Sequence, residues 1–126
     1  MNPPVSLFRG ASGINYSYYI FDLSFRPKDS QFGNYMLARR SDGGGWIPVY
    51  IGQGDLKEHI GDKNHLNRAR KKGATHILAR TNPNEKLRHI EERDMLAAHP
   101  EVCAPTGCNE IKPVKPAPLR VPQKRN

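Results

Sequence analysis

The sequence predicts an α+β fold, with helices flanking one small antiparallel or mixed β-sheet and an additional β segment leading the chain. Three features predict it. Aromatic and β-branched runs punctuated by glycine fill the first half of the chain, the apolar spacing lengthens to a helical one after Gly54, and a further short β run separates two helical stretches. The order of strands, helices, strand and helix fits a layer in which helices cover one sheet.

Val5 to Arg9 is short and apolar and is broken by Gly10 and Gly13, whereas Asn15 to Ser24 is unusually aromatic, with Tyr16, Tyr18, Tyr19 and Phe21. Such residues favour a pleated surface. Arg26 to Gln31 has loop chemistry; Gly33 to Arg40 then reads as a strand ending in Ser41-Asp42-Gly43-Gly44-Gly45, and Trp46 to Gly52 as its return. Pro48 removes a backbone donor there, which suits only a sheet edge, a strand start or a bulge. Asp55 is placed to cap a helix over Leu56 to Ile60, and a second, basic helix runs from Lys63 to Lys72 until Gly73 stops it. Ala74 to Arg80 is the last strand. For the final helix, Asn82 is the expected N-cap, Pro83 the first helical residue and Glu85 the closing member of a capping box. It ends at Ala98, because the residue before Pro100 is pushed out of the helical region. Its expected apolar stripe is Leu87, Ile90, Met95 and Ala98, with Glu91 in the middle and Glu92 nearer the border.

The 126 residues carry 20 Lys plus Arg against 12 Asp plus Glu, a net charge of +8, and suffice for one basic domain with a modest core. No apolar run approaches the roughly 18–20 residues that span a bilayer, and no secretory leader follows Met1, so no membrane partner is expected and the expected compartment is cytoplasmic. Two cysteines are too few for a disulfide scaffold. Charge is uneven along the chain. Residues 111–126 hold Lys112, Lys115, Arg120, Lys124 and Arg125 with no acid, and their four prolines predict a mobile polyproline-like arm outside the fold. Asn64 to Asn84 contains Arg68, Arg70, Lys71, Lys72 and Arg80 without a carboxylate, which reads either as a positive field for phosphate or as a solvated helix face. Cys103 and Cys108 lack zinc-site spacing, and the triple glycine lacks the Lys-Ser/Thr of a phosphate-binding loop.

Gly33-Asn34-Tyr35 opens one predicted strand, and Val49-Tyr50-Ile51-Gly52 closes the next about fifteen residues later. Asp55-Leu56, Gly73-Ala74-Thr75-His76-Ile77, Glu92-Arg93-Asp94-Met95-Leu96 and Asn109 follow. In this order they resemble the GIY-YIG endonucleases, in particular small single-domain members. The resemblance implies a GIY-YIG nuclease-like domain over residues 33–110, with residues 1–32 as a β extension packed on it and 111–126 as the basic tail. It further implies hydrolysis of DNA phosphodiester bonds with one divalent metal, Mg²⁺ or Mn²⁺, held by a single glutamate and several waters, as suits an ion that keeps its hydration.

By the same resemblance, Tyr35 and Tyr50 project from neighbouring strands toward the phosphate, one assisting proton transfer from the attacking water and the other orienting it. The motif register selects Glu92 as metal ligand, with Glu91 as second choice. The slot of the family's arginine holds His59 or Ile60, and neutral imidazole is a weaker partner for phosphate than guanidinium. Arg68 or Arg70, one helix later, is placed to supply the missing charge, and His65 is an additional proton-transfer group. Asn109 matches the asparagine that supports the glutamate or the loop near the metal, and Asn34 replaces an isoleucine behind Tyr35. Lys63, Arg68, Arg70, Lys71 and Lys72, with the tail, are expected to hold DNA backbone phosphates, giving salt-dependent affinity with little sequence choice.

Two other readings stand beside this one. His59 motivates a non-catalytic nucleic-acid-binding module on the same scaffold. The aromatic strand motivates an RNA-associated protein, provided that Tyr16, Tyr18 and Tyr19 face solvent together. No obligate protein partner is expected; one site cuts one strand, so a double-strand break needs a homodimer or two encounters.

Overall fold

In a computed structural model of the chain, the described residues are 3–103, 107 and 109. The expected arm at 111–126 lies outside them. Among the described residues, five strands, β1 (Val5–Arg9), β2 (Asn15–Asp22), β3 (Phe32–Arg40), β4 (Trp46–Asp55) and β5 (His76–Thr81), accompany helices α1 (Leu56–Ile60), α2 (Lys63–Lys71) and α3 (Glu85–Ala98). A short 3₁₀ turn follows at Pro100–Val102. The strands form one sheet in the order β1-β2-β5-β3-β4, and every neighbouring pair is antiparallel. The α+β class therefore holds, and the N-terminal β segment joins the same sheet through β2 and β5. No helix among the described residues is long and apolar enough to cross a membrane.

Helices cover both faces of the sheet, α1 and α2 on one and α3 on the other. The reason is legible in β3, where Gly33 to Ala38 is buried without a break, a pattern that requires cover on either side. Tyr35, Leu37, Ile77 and Ala79 share a core with Leu56, Ile60, Leu66 and Ala69 of α1 and α2. Met36, Ala38, Ile51, Leu78 and Tyr18 pack on the other face with Met95 and Val102. β4 is an edge strand, and its register slips where Leu37 pairs with Tyr50 but Ala38 pairs with Pro48. Val49 is the extra residue of this bulge, and both Val49 and Tyr50 pack against the α1 and α2 core. Pro48 thus occupies an edge and a bulge at once.

Two expectations for α3 need correction. Its N-cap is Asn84, whose Oδ1 accepts from Leu87 N at 2.9 Å, because the side chain of Asn82 instead donates to Asn34 Oδ1 at 3.2 Å. Its buried face is Arg88, Glu91 and Met95, while Leu87 and Ile90 are exposed. Hydrogen bonding rather than apolar area sets this orientation. Glu91 accepts from the Tyr18 hydroxyl and from Arg80; Arg88 Nε donates to Gln53 Oε1 at 3.0 Å and its Nη1 to the carbonyls of Asn82 and Pro83 at 3.1 Å. Asn34 Nδ2 completes the seam on the Arg88 carbonyl at 3.0 Å, so the asparagine beside Tyr35 fastens α3 to the sheet. The tyrosines of β2 are divided between the faces. Tyr16 donates to Asp94 at 2.7 Å and Tyr18 is buried, leaving Tyr19 as the exposed ring of the three and removing the support for base stacking by that trio.

Candidate functional site

Four rings meet on the face covered by α1 and α2. The Tyr35 hydroxyl lies 3.2 Å from His59 Nδ1 and 3.0 Å from His65 Nε2. Tyr50 stacks on Tyr35 with ring centroids 5.8 Å apart and meets His65 edge-on at 4.3 Å. The sheet register produces this. Tyr35 pairs with Gly52 and Leu37 with Tyr50, so the two tyrosines are diagonal neighbours on one face. Gly52 leaves the room they occupy, since a Cβ there would stand 2.8 Å from the Tyr50 ring and 2.9 Å from that of Tyr35. Gly54, at φ +134°, plays the same part for His59, whose Nε2 would lie 2.8 Å from an added Cβ. His59 comes from α1, capped by Asp55, and His65 from the first turn of α2, where Asp62 accepts from the His65 amide at 3.2 Å.

Burial sets the protonation states. Tyr35 is fully enclosed, and burial, followed by its neighbour Tyr50, holds its phenol well above the ordinary tyrosine range. It is a neutral phenol with one proton, able to donate to one imidazole while accepting from the other. Burial, then the charge of Arg68, depresses the pKa of His65, so this ring is neutral near pH 7. Its neutral form has a nitrogen able to take a proton.

No protein-family model, curated protein or solved structure matches the chain. Its chemistry is therefore read from the site alone. Tyr35, Tyr50 and His59 are brought together as expected, but Tyr35 does not reach the surface, because the two helix-borne histidines close over its hydroxyl. Tyr50 and His59, each half-buried, are the members nearest solvent. Glu92 makes no hydrogen bond to the cluster, yet its charge is close enough to raise the Tyr35 pKa further. Its own pKa is raised by burial and lowered in part by His89 and Arg93. Glu91 is spoken for by Tyr18 and Arg80, which separates the two acids physically: one stitches the core, the other is half-buried beside the site.

Arg68 is exposed one helical turn beyond His65, and Lys63, Arg70, Lys71 and Lys72 are exposed along the same helix. None of Lys63, Arg68, Arg70 and Lys71 forms an ion pair among the described residues. The resemblance implies that Asn109 supports the glutamate or the loop near the metal, and its hydrogen bonds run to β4 rather than to Glu92. Its amide is clamped on Ile51 instead, accepting from the Ile51 amide and donating to the Ile51 carbonyl at 2.9 Å each. The unfilled pairing groups of an edge strand explain the attraction. Ile60, the other occupant of the arginine slot, is core. Among the described residues no group of three His, Cys, Asp or Glu side chains could hold a metal. The sequence reading undervalued His65, although its place beside Leu66 and Ala69 on the inward face of α2 was a usable signal.

Proposed function

We infer that the chain is a GIY-YIG-type endonuclease hydrolysing DNA phosphodiester bonds with a divalent metal. The observation that carries this reading is the Tyr35 hydroxyl held between His59 and His65, with Tyr50 stacked on it at the open side and Glu92 nearby. Tyr50 and His59 are the groups that a phosphate and its attacking water would meet. The water gives its proton to the Tyr50 hydroxyl as its oxygen bonds to phosphorus and the phosphorus–leaving-oxygen bond breaks. Tyr50 hands its own proton to Tyr35, and Tyr35 its own to His65 Nε2, which burial keeps neutral and receptive. Arg68 and the exposed cations of α2 offset phosphate charge at the margin.

A closed protein cage does not fit the donor set, but a single desolvated carboxylate fits a hydrated Mg²⁺ or Mn²⁺. Glu92 would hold it, and when bound it supplies charge neutralisation at the phosphate and leaving oxygen. The second reading, a nucleic-acid-binding module without chemistry, is favoured by the enclosure of Tyr35 and by His59 in place of arginine. Nicking of supercoiled plasmid at low salt, with Mg²⁺ or Mn²⁺ and with chelator, separates the two. Metal-dependent nicking that falls about 10²-fold or more in Tyr35→Phe and in Glu92→Gln is expected, with DNA affinity retained. Nicking by either variant at the wild-type rate would sink the catalytic reading; binding without metal-dependent cutting would favour the module.

A further inference from the structure

We propose that a groove beside the Tyr–His cluster takes an unpaired nucleotide, its base among aromatic rings and its phosphate on Arg26 and Lys28; this rests on the nuclease reading and gives it a substrate class. The face covered by α1 and α2 is bare at β2, and a groove of about 460 Å³ opens there, floored by Ala79 and Leu56. That is within the roughly 300–1,000 Å³ of small-molecule sites. Ala79 pairs with Tyr35 across the sheet, and Leu56 shares α1 with His59, so the groove adjoins the cluster.

Its walls carry exposed and partly buried π surface. Tyr19 is 47% exposed, and Phe21 and Phe25 stack 3.7 Å apart with planes within 8°. An apolar ligand would have no use for the cations at the rim. Arg26 and Lys28 are exposed and form no ion pair among the described residues, while the nearby acid Asp29 is taken by Lys57. Arg26 Nη1 is also pinned beside Phe25, donating to the carbonyls of Leu23 at 3.0 Å and Phe25 at 2.7 Å. Rings joined to fixed positive charge bind nucleotides without base choice. A base inside a duplex is stacked on both faces and cannot enter, so the groove selects strands with unpaired residues, such as ends, flaps or loops. The chain's own residues 111–126 are a poor occupant, being cationic like the rim.

The test is fluorescence anisotropy in chelator, with the full chain and three labelled probes: a thymidine oligomer of about 12 nucleotides, an abasic strand with the same phosphates, and a duplex. Wild-type protein is expected to prefer the thymidine oligomer to the abasic strand about tenfold, and Tyr19→Ala to lose that preference while binding the abasic strand unchanged. Lys28→Ala should weaken both single strands. Equal wild-type affinity for the thymidine and abasic strands, or Tyr19→Ala binding thymidine like wild type, would overturn the groove and leave the nuclease reading to the nicking assay. Wild-type protein that binds none of the probes would overturn both. Saturable binding of a peptide of residues 111–126, lost in Tyr19→Ala, would make the tail the occupant and also overturn the proposal.

Discussion

Replacing Glu91 with alanine should unfold the protein well before it touches chemistry, and replacing its neighbour Glu92 with glutamine should do the reverse. The Glu91 side chain is 3% exposed and accepts from Tyr18, itself buried, and from Arg80. Removing one partner of a buried charged pair costs about 3–5 kcal/mol. Arg80 is 33% exposed and can rehydrate, which places the cost at the lower end. About 3 kcal/mol at roughly 4 °C per kcal/mol lowers Tm by about 12 °C. Glu92 has the opposite sign. Its folded-state pKa lies above the unfolded one, so between the two values the folded protein binds more protons and loses stability as pH rises. Above that window the ionised carboxylate is a cost that glutamine does not carry. Glu92→Gln should therefore melt above wild type at pH 7 and converge with it as pH falls below the ordinary glutamate range, while losing nicking activity. Thermal unfolding by circular dichroism at pH 7 and pH 4 reads both effects. A Glu92→Gln protein less stable than wild type at pH 7, or a Glu91→Ala protein melting within about 2 °C of it, would refute the division of labour, since the shift expected for Glu91→Ala is about 12 °C.

Gly52→Ala should drive the Tyr35 and Tyr50 rings apart, costing about 1–3 kcal/mol and most of the nicking activity; unchanged kinetics would mean that the stacking is incidental. Asn34→Leu should destabilise by about 1–3 kcal/mol in urea unfolding, because the Asn82 amide and the Arg88 carbonyl lose their buried partner. His65 has a folded pKa below its unfolded one, so the unfolded chain binds the proton first and stability should fall as pH drops from about 6.5 toward the folded value. His65→Gln should flatten that part of the stability–pH curve, and an unaltered slope would show that His65 is not the titrating group.

Most elements were legible because their local signals agree with the packing. Asp55 caps α1, Gly73 follows the basic helix, and Pro48 marks both a bulge and an edge. The buried face of α3 was not legible from hydrophobicity, since Leu87 and Ile90 lose to a polar seam whose partners, Tyr18, Gln53 and Asn34, lie 35 to 73 residues away. The N-cap slipped from Asn82 to Asn84 for the same reason: a long-range hydrogen bond claimed the expected side chain. In the site, Tyr35, Tyr50 and His59 were singled out by the motif resemblance, and the strand register with the helix that follows β4 sets them side by side. Depth did not follow from spacing. Whether a tyrosine on a strand is open or enclosed depends on the helices that land over it, and here two histidines from separate helices close the gap.

The clamp of Asn109 on Ile51 has a consequence for association between molecules. An edge strand with open amides and carbonyls is a template on which another chain can extend the sheet. On β4 that template is interrupted twice, by the kink at Pro48 and Val49 and by a side-chain amide that occupies both pairing groups of Ile51. Recruitment of a foreign strand beside Tyr50 is thereby obstructed, and the open rim of the sheet is left at β1, with the whole width of β2 and β5 between it and β3.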